Sequence, residues 1–496
     1  MSLLIKGVQV VDGTGKEAYR ADVLVQKNIV SSIGNLRERG AGEVIEGFGN
    51  YLVPGFIDVH ARSDHYLSLF SNPQQTSFIR QGVTSILGGT GGVSLAPLLY
   101  GAPSTIEVWA DTNDLNVNWH TLKEFLNQLD KYRLGINFGT LIGHSTLRRD
   151  LAGNRKSLDI KELAVLKRMI EEALGGGAYG VSSDLSFAQG NSISARELLE
   201  VARTVREFDA VHVVGLRDKR KGLKKSVEEI IRLAQTSKAK ILIEGLRPII
   251  GYTKEFREAI GLLRNYSGKK DNLRFLLEPF ETREIPISFF LPKIMQAPGL
   301  GIMLARVREA RYREAFRKEL QNHDLRSIRV ASAPKHHFLV GKTIKQISEN
   351  WGVDYIDAVR RIADMSDLTA TLFYDDISSP TLRNFLGEEN ALITSSMSGV
   401  SPGPGHLFND QAGKAFTNFL RETAREGLLS LEETVKRLTK TPAEFFGIEN
   451  RGIIDEGMAA DLTILSKDNY EVKEIILGGK VFGRDKLKGE ILSYYR

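Results

Sequence analysis

Cysteine is absent from all 496 residues, which excludes disulfides, cysteine-ligated zinc and thiol nucleophiles outright. The absence fits a reducing compartment, and a cytoplasmic location is expected. An excess of one charge is also missing. The 67 Lys and Arg residues stand against 61 Asp and Glu, leaving +6, too slight over this length to mark a nucleic-acid binder. No stretch approaches the roughly 20 apolar residues of a membrane-spanning helix. The first residues lack the basic leader, long apolar core and small-residue cleavage site of a secretory signal. No nucleic acid and no membrane is expected among the partners, while a homo-oligomer is compatible with the composition. What is present, 42% hydrophobic and 26% charged residues, is ordinary for a globular protein. The length gives about three domains, or one large barrel with an accessory domain.

Both ends read as short strands: residues 3–11, 21–25 and 29–33, then 462–465 and 472–477 before the turn Gly478-Gly479. They predict one β-domain assembled from 1–53 and 448–496. The middle, 54–447, changes rhythm. Short apolar runs at 55–59, 83–87, 136–142, 179–181, 211–214, 240–243, 273–277 and 391–394 alternate with helical periodicity such as 160–174, 195–208 and 226–234. Strands alternating with helices imply βα units on a parallel sheet. Eight of them predict an α/β fold, a (β/α)8 TIM-like barrel plus a small β-sandwich domain formed by both termini, with chemistry at the C-terminal strand ends. The glycine-rich Gly88-Gly89-Thr90-Gly91-Gly92 has neither the lysine of a P-loop nor dinucleotide-binding spacing. The charged stretch 303–325 breaks the rhythm and predicts a helical insertion near 290–330. The basic run 217–225 reads first as a solvated loop and helix start, and secondarily as an anion attractor at the barrel mouth.

The most specific motif is Pro54-Gly55-Phe56-Ile57-Asp58-Val59-His60, a strand ending in histidine. Later blocks follow in order: Gln81-Gly82-Val83-Thr84, the loop 88–97, Gly143-His144-Ser145-Thr146, Tyr179-Gly180-Val181-Ser182-Ser183, Thr441-Pro442-Ala443 and Gly457-Met458-Ala459-Ala460-Asp461. Together they resemble the amidohydrolase superfamily, and within it the N-acyl-D-amino-acid deacylase (D-aminoacylase) branch, from end to end. The resemblance implies metal-assisted hydrolysis of a non-peptide C–N bond. Zinc on strand-end histidines, a bridging cysteine and a catalytic aspartate would lower the pKa of a bound water and move its proton.

Checked residue by residue, the implied ligand set is depleted. The first strand reads His60-Ala61-Arg62 where the family has His-x-His, and a guanidinium has no lone pair for a cation. Thr90 stands at the bridging cysteine, Gly215 and Gly245 at the fifth- and sixth-strand histidines, and Ser396 at the catalytic aspartate. Only His60 is retained, too few for a hydrolytic zinc with three protein ligands, so no metal and no other cofactor is expected. Asp184 departs from the family's glycine without an evident purpose.

The pocket candidates are His60, Arg62, Asp64, Thr90, His144, Arg217, Glu244, Arg247 and Ser396, none of them a confident catalyst. A buried guanidinium needs a partner. An internal salt bridge from Arg62 to Glu244 or Asp64, plugging the site, is the first expectation. Asp58 or a small anionic ligand is the alternative. The functional expectation is a catalytically silent or metal-independent relative with an anion-binding pocket. An active amidohydrolase with a rebuilt metal site, and a regulatory or structural partner of an active homologue, are the alternatives.

Overall fold

The computed structural model describes residues 2–494 except 37–41, 101, 102, 104, 111, 113, 114, 154, 156, 187–191, 268–271, 298, 322 and 404. Residues 298 and 322 of the expected insertion therefore lie outside the described residues.

Eight β segments carry the middle of the chain. They are Phe56–Asp58, Val83–Gly88, Asn137–Thr140 continued by Ile142–Gly143, Gly180–Asp184, Val211–Gly215, Lys240–Glu244, Leu273–Leu277 and Ala391–Ile393. All pair in parallel, in chain order, within two sheets that meet at residues 140–142. The first and last segments are tied as well. Arg62 N donates to Met397 O at 2.8 Å, and the buried Asp58 carboxylate accepts Ser395 N at 2.9 Å, Ser395 Oγ at 2.5 Å and Thr394 Oγ1 at 2.6 Å. Each segment falls on an apolar run expected from sequence. Parallel strands covered on both faces are written as continuous β-branched and aliphatic runs, and Val211–Gly215 is buried throughout.

The helices between them start where the caps say. Asp159 and Glu162 form a reciprocal capping box for Ile160–Gly175, and Ser194 caps Ala195–Glu207. Each satisfies backbone N–H groups that the first helical turn leaves unpaired. Among the described residues no helix is long and apolar enough to cross a membrane.

The terminal strands join one eight-stranded sheet in which Tyr51–Pro54 runs antiparallel to Leu462–Leu465. Leu3, Ile5, Val23, Leu52, Leu462, Ile464 and Ile476 form its core. Within this sheet Ser2–Val10 pairs both Glu43–Glu46 and Tyr51–Pro54 along one edge.

The charged stretch is helical, as expected. It is two helices, Leu300–Arg308 and Arg313–Leu320, broken at Glu309, whose backbone is extended (φ −75°, ψ 129°). They belong to a larger assembly with the strands Thr282–Pro286, Arg329–Ser332 and Thr371–Asp375 and the helices Ile344–Trp351 and Tyr355–Met365. This assembly has its own core around Phe290, Met303, Phe316, Leu320, Val330, Ile362 and Leu372. Its strands are four or five residues long and carry charged residues, so period-2 patterning was too brief to find them.

Candidate functional site

The C-terminal ends of the parallel segments open into a cavity of about 570 Å³ whose lining includes Arg62, Trp109, Lys219, Glu244 and Arg247. The assembly of 282–375 supplies its other wall, including Ile285, Phe289, Met303 and His323. A recess of about 40 Å³ adjoins it at Arg62 and Arg247 and reaches Glu278, Ser396 and His406.

His60, at the end of the first segment, is 1% exposed. Its Nδ1 lies 3.0 Å from Ser396 Oγ. The Ser396 hydroxyl donates to Glu278 Oε1 at 2.5 Å, so Nδ1 is the donor in the contact between the two side chains. Glu244 Oε1 sits 3.1 Å from His60 Nε2, off the line of a hydrogen bond. The second Glu244 oxygen accepts Gly91 N at 3.2 Å. Burial opposes ionisation of Glu244, but the charges of His60, Lys219 and Arg62 outweigh it and hold this carboxyl well below the usual range. Glu278, just past the Leu273–Leu277 strand, follows the same logic. Burial pushes it up, and the Arg247 guanidinium, then the charge of Arg62, bring it down to about 2. Arg247 grips Glu278 with Nε at 2.6 Å and a terminal nitrogen at 2.5 Å, the planar fork that a guanidinium offers a carboxylate.

Arg62 has no such partner. Its guanidinium lies 5.4 Å from the Trp109 ring centroid and reaches Glu284 O only at 3.4 Å. No carboxylate among the described residues stands within ion-pair distance of it. The salt-bridge plug expected from sequence is therefore overturned, because each carboxylate proposed for it is already engaged. Glu244 faces His60. Asp64 accepts Gly89 N at 2.6 Å and contacts His65 at 2.9 Å. Asp58 ties the first strand to the last.

The remaining candidates separate. Thr90 lines the cavity, nearly fully buried. Arg217 borders it, but its guanidinium is turned to Glu229 at 2.9 and 3.2 Å and to Ile193 O at 3.2 Å. His144 is not in the cavity lining. It sits in a buried network with Ser183 at 3.0 Å and Glu197 at 3.1 Å, where Arg148 also donates to Glu197 at 2.9 Å. Ser183 passes the chain of contacts on to His212 at 2.9 Å, and burial drives the His212 pKa down to about 3.

Sequence reasoning missed three residues that the fold brings here: Trp109, Glu278 and His323. Lys219 lies in the basic run whose second reading was an anion attractor at the barrel mouth, although a solvated surface was the first. Glu278 follows the apolar run Leu273–Leu277 directly, and a carboxylate at a strand end was a signal that could have found it. Asp184 acquires a purpose. A Cβ built on Gly215 would meet Asp184 Oδ1 at 2.8 Å, and one on Gly245 would meet Lys219 Cε at 2.6 Å. The two side chains fill the space that the glycines leave, and Lys219 Nζ lies 3.9 Å from Asp184 Oδ1. Among the described residues no three His, Asp or Glu side chains are grouped as a metal ion would require.

A model of the amidohydrolase family matches residues 402–476. N-acyl-D-glutamate deacylase of Alcaligenes xylosoxydans xylosoxydans is 26% identical over 476 residues, covering 94% of this chain and 88% of its own length. N-acyl-D-aspartate deacylase of the same organism is 25% identical over 471 residues, covering 94% and 86%. Among solved structures, N-acyl-D-glutamate deacylase from Bordetella bronchiseptica, complexed with zinc and a phosphonate inhibitor, superposes with a TM-score of 0.81 at 21% identity, covering 99% of both chains. This last likeness speaks to fold alone.

Proposed function

Because the chain belongs to the amidohydrolase superfamily and is D-aminoacylase-like, we propose that it keeps that scaffold, a closed (β/α)8 barrel over 54–447 with a composite terminal domain, and uses its pocket without metal to bind a small oxyanion. Zinc-dependent deacylation is then absent.

The donor set carries the first half of this reading. His60 Nε2 and Glu244 have the chemistry of metal ligands, but a third is wanting. Gly215 and Gly245 offer no side chain, and the Ser396 hydroxyl is spent on Glu278. Lys219 and Arg62 place positive charge beside Glu244, where it repels a divalent cation. The residues present do not fit a hydrolytic zinc with three protein ligands.

The observation that carries the second half is Arg62, a guanidinium facing a cavity of about 570 Å³ with no carboxylate on it. Eight Lys or Arg residues line that cavity against four Asp or Glu, so its field favours an anion. An oxyanion completes the planar fork of Arg62, and the Trp109 ring behind it fixes the direction of approach.

The test is isothermal titration with sodium acetate and, separately, inorganic phosphate, at low ionic strength with a chelator present. Wild type is expected to bind one of them, and R62M to weaken that binding about 10- to 100-fold, the worth of a charge-assisted hydrogen bond. Equal binding by wild type and R62M contradicts the reading.

A further inference from the structure

Gly215 ends one strand and Gly245 directly follows the end of its neighbour, and neither has a side chain to present to the cavity. The space is not left open. A Cβ at position 215 would meet Asp184 Oδ1 at 2.8 Å and Cγ at 3.1 Å, while one at position 245 would meet Lys219 Cε at 2.6 Å and Nζ at 3.1 Å. Asp184, at the end of the adjacent strand, and Lys219, from a loop, thus occupy the volume of two missing side chains, and they carry opposite charges.

We propose that Lys219, seated in the space a side chain at position 245 would take and steadied by Asp184 in that of position 215, is a fixed cation standing in for a metal ion's charge and the second anchor, after Arg62, for an oxyanion. The proposal rests on the anion-binding reading above and names the group that shares the ligand with Arg62.

Three observations converge on Lys219. Its ammonium has three donors. Among the described residues these find one hydrogen bond, to Ser186 Oγ at 3.2 Å, while Asp184 stays at 3.9 Å. Donor capacity is left for a ligand. The side chain is 23% exposed and lines the same cavity as Arg62, so its free donors face the volume a ligand would fill. Lys219, Arg62 and Glu244 line the same cavity, and the charges of both cations lower the Glu244 pKa. The two cations share one cavity, and an oxyanion bound in it meets both positive groups.

The outcome is read from acetate and phosphate titrations of wild type, K219M, K219R and R62M. Methionine retains the stem out to Cε, the atom nearest the space at Gly245, without the charge. K219M is expected to weaken the bound anion at least tenfold, and K219R to recover most of that loss. Binding by K219M within twofold of wild type, with R62M still defective, overturns the role of Lys219 and leaves the pocket reading standing. No binding by wild type overturns both.

A second measurement needs no variant. Reductive methylation of wild-type lysines with formaldehyde, mapped by peptide mass spectrometry, is expected to slow at Lys219 in saturating acetate or phosphate and to stay constant at the exposed Lys345. Equal rates at Lys219 with and without the anion contradict the proposal.

Discussion

Replacing Glu278 with glutamine is expected to cost about 3–5 kcal/mol of folding stability, the usual consequence of removing one partner from a buried ion pair. Arg247 and Glu278 are 13% and 7% exposed at the side chain, and the glutamine leaves the guanidinium without the anion that both its nitrogens grip. The double variant R247M/E278M is expected to lie much closer to wild type, because it takes out the charge together with its partner. Urea unfolding at pH 7 gives both values. The same pair sets an acid dependence. The Glu278 pKa is about 2 in the folded protein against a usual 4.5. A depressed carboxyl stabilises the fold fully above the unfolded value, and that contribution is lost as pH falls from about 4.5 toward about 2. At about 1.4 kcal/mol per pH unit the loss is about 3 kcal/mol. E278Q is expected to lack this part of the acid slope, and an identical slope in both proteins would refute the assignment.

Replacing Glu197 with alanine is expected to cost a similar 3–5 kcal/mol for a reason remote from the cavity. Arg148 is fully buried, and Glu197 takes hydrogen bonds from its Nε at 2.9 Å and from His144 Nε2 at 3.1 Å. Burial works against the Glu197 charge, and these two partners pull the pKa below its ordinary value. Alanine strips the carboxylate from a cation that cannot reach bulk water. Glutamine retains an acceptor oxygen and is expected to cost less, about 1–3 kcal/mol. Since His144 is absent from the cavity lining, anion affinity of any folded E197Q protein is expected to match wild type. A large loss of affinity in E197Q would place this network in the ligand site after all.

The strands were legible from sequence because a buried parallel strand is a local signal, a short aliphatic run with a polar end. All eight runs became strands, Arg62, Thr90, Glu244, Arg247 and Ser396 all line the two adjoining recesses, and His60 is buried against Glu244 and Ser396. What could not be read was which charge meets which. Arg62 was given Glu244 or Asp64 because both stand near predicted strand ends. The fold instead spends Glu244 on His60 and gives Arg247 to Glu278, a residue 31 positions away. Pairing among side chains from five or more strand ends is a property of the assembled centre. The exchange at Gly215 and Gly245 was hidden for the same reason, since the residues that fill their volume come from an adjacent strand end and a loop. The sheet within 282–375 was missed because its strands are too short for an alternation to register.

On the proposed function, side-chain charge has taken over the place of metal at this centre. That reading is tested most directly by metal analysis, by mass spectrometry, of tag-free protein purified from zinc-supplemented medium. Less than about one-tenth of an equivalent of any divalent metal is the result expected from a donor set short of three ligands. One or two equivalents, retained through gel filtration, would contradict it and return metal-dependent hydrolysis to the front.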